Sequence, residues 1–115
     1  MALPKLRSMF TKRLKEARLA MGISQRELGR RIGLSEEVVS SRVTRYELGT
    51  SEPDFATADR LAKELGVPLA YLVADNDAMA QIILSAASLS PSEQRKLASE
   101  LSADAVRSPI RPKRE

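Results

Sequence analysis

The glycine and serine residues between positions 22 and 35 restrict most strongly how this chain can fold. Gly22 is typical of the left-handed residue that ends one helix, and Ser24 of the side chain that caps the next. Glu27 stands three residues after Ser24, as a capping box requires. Because Gly33 closes the following segment, the pattern predicts a short helix over about residues 25–31 between two tight turns.

Apolar residues recur at helical spacing through most of the remaining chain, and no segment alternates as a strand does. Prolines and cap residues mark helix starts, most clearly in the run from Ser90 to Glu93. The other helices are predicted at about 8–21, 35–48, 54–65, after Pro68, 78–89 and 91–102. The expected fold class is all-α, a five-helix domain followed by a C-terminal two-helix extension.

The composition excludes several kinds of chemistry. The 115 residues contain neither cysteine nor histidine, which rules out disulfides and zinc–thiolate sites and removes the commonest general base. We therefore predict no metal, no cofactor and no enzymatic activity, and we expect a cytoplasmic protein. No apolar run approaches the roughly 18 residues that a membrane span needs, so no membrane partner is expected.

Charge is divided unevenly along the chain. Residues 1–50 carry eleven basic and five acidic side chains, whereas residues 51–104 carry four and nine. Residues 105–115 add four basic side chains and one acidic one. Such a division is typical of a protein that holds a polyanion on one face, although an ordinary surface could also produce it.

Two short helices joined by a glycine-containing turn form the core of a helix-turn-helix unit. In such a unit the second helix enters the major groove of DNA, so one of its faces must be polar and exposed. The polar residues Ser40, Ser41, Arg42, Thr44 and Arg45 fall between the apolar positions of the predicted third helix. The pattern therefore predicts that this segment binds double-stranded DNA.

Several ordered motifs resemble the Cro/Xre-type helix-turn-helix family, the lambda-repressor-like DNA-binding domains. They are R-x-x-x-G-I-S-Q-x-x-L from Arg18, the G-L-S turn at Gly33, Y-E-x-G-x-x-x-P from Tyr46 and T-x-x-x-L-A-x-x-L-G-V from Thr57. The resemblance covers about residues 11–73 and implies five helices. It also implies a structural ion pair between Arg18 and Glu47.

The same resemblance assigns roles in DNA binding. Gln25 matches a phosphate contact, and Ser40, Ser41 and Arg45 match base-reading positions. Arg45 suits guanine because its guanidinium offers two parallel donors, with phosphate contact as the alternative. Arg42 is expected to contact phosphate. The predicted DNA-binding set is Gln25, Arg26, Ser35, Glu36, Ser40, Ser41, Arg42, Thr44 and Arg45.

The chain departs from the family pattern between Ser35 and Glu47, where it has about four residues more than usual. Either the third helix starts at Ser35 and is one turn longer, or the turn is longer and Ser40 caps the helix. The acidic pair at 36–37 favours the longer helix, because negative side chains suit a helix N-terminus. Phosphate would repel Glu36 and Glu37 unless one accepts from a cytosine amino group or both face away, with Arg30 and Arg31 offsetting their charge.

These observations divide the chain into a flexible basic arm at 1–9, the helix-turn-helix domain at 10–74, a C-terminal helical hairpin at 75–104 and a disordered basic tail at 105–115. Apolar residues on the hairpin predict a homodimer interface, and packing onto the chain's own domain is the alternative. The dimerisation residues are Met79, Ile82, Ile83, Ala86, Leu97 and Leu101.

The function expected from these features is a sequence-specific transcriptional regulator of bacterial or phage type. We expect a repressor that binds a palindromic operator as a homodimer. The alternative is an antitoxin that binds DNA and also neutralises a protein toxin through its C-terminal helices.

Overall fold

The computed structural model describes residues 2–104. Within them it contains helices and no strand, which confirms the predicted all-α class. The helices are α1 (Ala2–Met21), α2 (Gln25–Arg31), α3 (Val39–Leu48), α4 (Phe55–Leu65), α5 (Leu69–Leu72), α6 (Asp77–Ala87) and α7 (Pro91–Asp104). The basic tail predicted at 105–115 lies outside the described residues.

The predicted cap at the start of α2 is formed only in part. The hydroxyl of Ser24 accepts a hydrogen bond from the backbone N–H of Glu27 at 2.9 Å. The carboxylate of Glu27 does not complete a capping box, because it binds Arg30 at 2.8 Å and Arg31 at 2.9 Å. Two positive side chains in the last turn of α2 thus hold the acidic group that the sequence pattern assigned to the cap.

The later caps form as their residue types predict. Ser90 and Glu93 make the reciprocal capping box at the start of α7, with backbone-to-side-chain distances of 3.2 and 2.8 Å. Asp54 accepts from Thr57 N–H at 2.8 Å and so caps α4. Asn76 likewise accepts from a backbone N–H at the start of α6. These bonds satisfy donors that would otherwise be orphaned at helix N-termini.

The hydrophobic core lies where the first five helices meet. Val43 of α3 is fully buried there, together with leucines from the other four helices. The core cluster consists of Phe10, Leu14, Ala17, Leu28, Ile32, Val43, Tyr46, Leu61, Ala62, Leu65 and Leu72. Burial of this aliphatic surface is the main term that holds the helix-turn-helix unit together.

α2 and α3 approach each other closely at Gly29. A Cβ placed on Gly29 would lie 2.3 Å from the carbonyl oxygen of Val39, the first residue of α3. Only a residue without a side chain permits this contact. Gly29 therefore decides how close the two helices come, and with that the position of the start of α3.

The start of α3 differs from the favoured prediction. The helix begins at Val39, and not at Ser35, and residues 36–38 form a turn. Val38 occupies the N-cap position without a side-chain cap, so Ser40 does not cap the helix either. The surplus residues thus lengthen the turn, and α3 begins where the backbone of Val39 packs against Gly29.

The start of α1 also differs from the prediction. The segment expected as a flexible arm at 1–9 is helical from Ala2 onward. Arg7 on this helix binds Glu52 and the carbonyl of Gly49, partners that its sequence neighbours do not reveal. Pro4 does not prevent the helix, since proline is tolerated in a first turn.

The chain separates into two compact units whose boundary falls between Leu84 and Ser85, inside α6, and not at the predicted 74/75. In the first unit, Ala80 of α6 is buried, and Asp77 binds Lys12 and Arg13 of α1. These contacts attach the first half of α6 to the helix-turn-helix unit.

The second unit contains the end of α6 and α7. Within it, the side-chain amide of Gln94 donates to the carbonyl of Ala86 at 2.8 Å. This bond links α7 to the end of α6 across the turn that Ser90 caps.

Candidate nucleic-acid interface

The two sides of α3 differ sharply in exposure. Val39, Val43 and Tyr46 are buried against the core. Ser40, Ser41 and Arg45 are exposed on the other side. The spacing of three and four residues along a helix produces this division. α3 thus presents a polar surface that a major groove can accept.

Arg45 and Arg42 are the unengaged cations of α3. Within the described residues, neither guanidinium makes a hydrogen bond or ion pair. Arg45 is exposed and Arg42 is half-buried. Most other arginines of the helix-turn-helix unit have acidic partners, so these two can bind an external acceptor without breaking an internal bond.

Thr44 faces the neighbouring helix more than the solvent. Its hydroxyl lies 2.7 Å from the carbonyl oxygen of Ser40 and 2.6 Å from the side-chain oxygen of Gln25. Ser41 is exposed, and its hydroxyl makes only a long 3.5 Å contact with the carbonyl of Val38. Of the hydroxyl groups predicted to contact DNA, that of Thr44 is occupied by a contact between α2 and α3.

Gln25, predicted as a phosphate contact, has both ends of its amide engaged. Its NH2 group donates to Glu47 at 2.9 Å, while its carbonyl oxygen accepts from Thr44. The side chain therefore links the first turn of α2 to α3. A phosphate contact of the kind predicted for Gln25 would have to use the second N–H of this amide.

Arg18 and Glu47 form a closely matched pair at the ends of α1 and α3. Two guanidinium nitrogens of Arg18 reach the two carboxylate oxygens of Glu47 at 2.6 and 3.1 Å. A third nitrogen donates to the carbonyl of Ile23 at 2.9 Å. The side chains are only 10% and 3% exposed. Such a shielded bidentate pair holds the end of α3 in place.

The turn before α3 carries the remaining predicted contacts. Ser35 is exposed, and its carbonyl accepts from Val38 N–H. Glu36 lies between two arginines of α2, 2.7 Å from Arg26 and 3.5 Å from Arg30. Arg26 and Glu36, both predicted to contact DNA, are therefore bound to each other.

The geometry just described can be compared with known proteins. The sequence pattern of the helix-turn-helix family matches residues 14–72, from α1 to the end of α5. The chain belongs to the Cro/Xre-type helix-turn-helix family. Members of this family are DNA-binding transcription regulators and not enzymes.

Two curated proteins resemble this helix-turn-helix chain. It is 33% identical over 69 residues, or 60% of the chain, to the cryptic phage CTXphi transcriptional repressor RstR of Vibrio cholerae. It is 34% identical over 65 residues, or 56% of the chain, to the SPbeta prophage-derived uncharacterized HTH-type transcriptional regulator YonR of Bacillus subtilis (strain 168). The matches span 59% and 56% of those proteins, so the chain covers less than two thirds of either relative.

A solved structure has the same fold. The crystal structure of the transcriptional regulator BswR superposes on this chain with a TM-score of 0.72 at 36% sequence identity. The likeness covers 81% of this chain and 92% of that one. It therefore reaches beyond the residues that the family pattern matches.

Two residues that support the helix-turn-helix surface were missed by the sequence reasoning. Arg7 donates to the carbonyl of Gly49 at 2.9 Å and to Glu52 at 2.6 Å, so it binds the loop that follows α3. Nothing near Arg7 in the sequence marks it, because its partners are more than forty residues away. Gly29 could have been found, since a glycine inside a helix often marks a close approach.

Hydrogen bonds shift the acidity of several carboxyl groups. The Arg31 guanidinium, followed by that of Arg30, holds the pKa of Glu27 below its usual value. The hydrogen bond from the backbone N–H of Thr57 likewise lowers the pKa of Asp54. Both carboxylates therefore stay ionised well into the acid range, and neither acts as a proton donor near neutral pH.

The described part of the chain contains no group of three acidic side chains placed to hold a metal ion. None of its helices combines the length and the apolar content that crossing a membrane requires. In the segment before and at the start of α6, Asn76 caps the helix and Asp77 binds Lys12.

Proposed function

We propose that this protein is a sequence-specific DNA-binding transcriptional repressor that reads its operator with α3. The observation that carries the proposal is the exposed polar face of α3, on which Ser40, Ser41 and Arg45 lie opposite the buried apolar face. A surface of this kind fits the major groove, where helix side chains reach base edges. The name of the relative RstR, a transcriptional repressor, supports repression as the outcome of binding.

The proposal assigns Arg45 to base reading and Arg42 to the DNA backbone. Arg45 is exposed and unpaired within the described residues, so its two parallel donors are available to the O6 and N7 atoms of guanine. Arg42 is half-buried beside the core, where its shorter reach suits a phosphate. Ser40 and Ser41 would contact neighbouring bases from the first turn of α3.

Replacement of Arg45 tests this assignment. A preferred duplex would be selected from randomised DNA with the wild-type protein, and mobility shifts would then compare it with a scrambled duplex. Arg45→Ala should weaken binding to the preferred duplex by roughly tenfold to a hundredfold and reduce the preference over scrambled DNA. Arg95→Ala is the matched control, because it removes one exposed, unpaired positive charge from α7.

The outcomes separate base reading from general electrostatics. If Arg45→Ala weakens both duplexes equally, Arg45 contacts phosphate and not a base. If the variant keeps full affinity and full preference, α3 does not read DNA through this residue. A wild-type protein that binds every duplex equally would contradict the repressor proposal as a whole.

We also propose that the repressor acts as a homodimer on a palindromic operator. α6 exposes Met79 and Ile82, which are 46% and 53% exposed, and α7 exposes Leu101 at 58%. Large apolar side chains on successive turns of a helix are costly to leave in water. A two-fold dimer through α6 would cover Met79 and Ile82 and match the symmetry of an operator with two half-sites.

Charge introduced on α6 tests the dimer. Met79→Glu combined with Ile82→Glu should convert a dimer to a monomer in light scattering and weaken operator binding. Leu19→Glu is the matched control, because Leu19 is also a large apolar residue, 57% exposed, and lies on α1 and not on α6. A wild-type monomer, or a dimer that survives the double substitution, would refute this interface. The antitoxin alternative stays a prediction, since no observed contact favours a second protein on these helices.

A further inference from the structure

Five charged side chains of α2 and the following turn form one continuous network. Arg26 binds Glu36 at 2.7 Å, and Glu36 binds Arg30 at 3.5 Å. Arg30 also binds Glu27 at 2.8 Å, and Glu27 binds Arg31 at 2.9 Å. Positive and negative groups alternate along this series. No arginine of α2 is left without a carboxylate partner.

Glu36 occupies the central position of this network. One of its carboxylate oxygens accepts from Arg26 and the other from Arg30, so each oxygen already has a cation. Glu37, the next residue, is exposed and makes no ion pair or hydrogen bond within the described residues. The two neighbours carry the same charge in the same turn, but only Glu36 engages arginines.

The position of this turn gives the network a consequence for DNA binding. Residues 36–38 directly precede α3, and Arg26 lies in the first turn of α2. A helix-turn-helix unit brings the start of α2 and the start of α3 to the DNA surface. Carboxylate and phosphate bind a guanidinium through the same donor geometry, so either group can satisfy an arginine.

We propose that Glu36 is an intramolecular mimic of a DNA phosphate that withholds Arg26 from the DNA backbone, while Arg30 keeps its shorter bond to Glu27. The inference rests on the proposed DNA-binding function, and it replaces the prediction that Glu36 belongs to the DNA-binding set. A phosphate that approaches the Nη2 nitrogen of Arg26 competes with the carboxylate of Glu36 for that donor. Glu36 thereby lowers the affinity of the protein for DNA of any sequence.

This competition bears most strongly on non-specific DNA. Non-specific affinity comes almost entirely from contacts between cations and phosphates. In a non-specific complex the register is unconstrained, so a released arginine can find a phosphate. In the operator complex α3 fixes the register, and a released arginine gains only where a phosphate lies within reach. Withholding Arg26 therefore raises the preference for the operator over other DNA.

The test compares Glu36→Gln with Glu37→Gln in the full chain, using a scrambled 20-base-pair duplex over a range of salt concentrations. Both variants remove one negative charge from the same turn. Releasing one arginine should raise the affinity of Glu36→Gln for the scrambled duplex roughly tenfold at low salt. The slope of log affinity against log salt concentration should become steeper by about one. Glu37→Gln should raise affinity less and leave the salt exponent unchanged.

Arg26→Gln completes a double-mutant cycle. In the wild-type background this change should alter the affinity for the scrambled duplex less than about twofold, because Arg26 is already bound to Glu36. In the Glu36→Gln background it should remove most of the increase in affinity that Glu36→Gln produces. The effect of Arg26→Gln in the wild-type background can be measured, and tests the proposal, even if Glu36→Gln fails to fold. Equal behaviour of the two glutamine variants, or an equal cost of Arg26→Gln in both backgrounds, would overturn the proposal.

The scrambled duplex keeps this test separate from the repressor proposal. If the wild-type protein fails to prefer its selected duplex, sequence-specific function is refuted, yet the two glutamine variants still decide the role of Glu36. If the preference is present and Glu36→Gln reduces it while Glu37→Gln does not, both proposals are supported. If the preference is present and the two variants match, only the role of Glu36 is refuted.

Discussion

Gly29→Ala distinguishes helix propensity from tertiary packing, because the two predict opposite effects. Alanine is the better helix former by about 1 kcal/mol, so propensity alone predicts a more stable protein. The structure predicts the reverse. The added Cβ would lie 2.3 Å from the carbonyl oxygen and 2.9 Å from the carbonyl carbon of Val39.

The magnitude follows from the size of this overlap. Carbon and oxygen atoms in ordinary contact are about 3.3 Å apart, so α2 and α3 must separate by about 1 Å. Overpacking of this kind costs about 1–3 kcal/mol, and the atoms in the way belong to backbone, which cannot rotate aside. We expect an overpacking cost near the upper end of that range, about 3 kcal/mol. The gain of about 1 kcal/mol in helix propensity then leaves a net loss of about 2 kcal/mol in the free energy of unfolding.

Thermal melting and mobility shift together provide the assay. For a domain of this size the expected loss lowers the melting midpoint by about 10 °C. Displacement of α3 should also weaken operator binding at least roughly tenfold at temperatures where the variant is folded, because base contacts depend on placement. Gly22→Ala is the control: its φ of +72° is strained for alanine, but nothing lies within 4 Å of the added Cβ.

The control separates backbone strain from displacement of α3. Gly22→Ala should lower the free energy of unfolding by about 1 kcal/mol, with a correspondingly lower melting midpoint. At temperatures where it is folded, it should bind DNA with wild-type affinity. The reasoning about Gly29 is refuted if Gly29→Ala melts at or above the wild-type midpoint. It is also refuted if the variant loses stability but binds the operator as tightly as the wild type does.

Three further substitutions test the contacts around α3 and α6. Glu47→Gln should destabilise the fold by about 3 kcal/mol in urea unfolding, because it leaves the shielded charge of Arg18 without its partner. Asp77→Asn should melt below wild type near neutral pH. The Lys12 ammonium lowers the pKa of Asp77 below its usual 3.8. The stability that the ionised Asp77 contributes is therefore present above pH 3.8 and is lost as the pH falls through the folded-state pKa. Arg7→Gln should weaken operator binding about two- to fivefold with little change in the melting midpoint, since its ion pair is exposed.

Each of these substitutions has a matched control among exposed side chains that make no bond within the described residues. Glu16→Gln, Asp75→Asn and Lys5→Gln make the same change of charge as the three variants and should leave stability and binding near wild type. A Glu47→Gln protein as stable as Glu16→Gln would show that the ion pair is dispensable. If the melting difference between Asp77→Asn and wild type persists at about pH 2, the pairing with Lys12 does not cause it.

The order of the helices and the identity of the DNA-binding unit were predictable from sequence because they depend on local physics. A serine or aspartate oxygen reaches a backbone N–H three residues away, as Ser90 and Asp54 do. A glycine such as Gly22 ends a helix through its own φ. Apolar spacing decides which face of α3 is buried. None of these effects needs a partner from elsewhere in the chain.

Tertiary structure decided the position of the helix ends and the state of the polar side chains. α3 begins at Val39 because Gly29 of α2 admits its backbone there, while Glu36, which suits a helix N-terminus, is bound by Arg26 instead. α1 extends back to Ala2, and Arg7 on it bonds to a carboxylate 45 residues away. Local sequence carries no record of such partners, because two groups distant along the chain meet only after the core has packed.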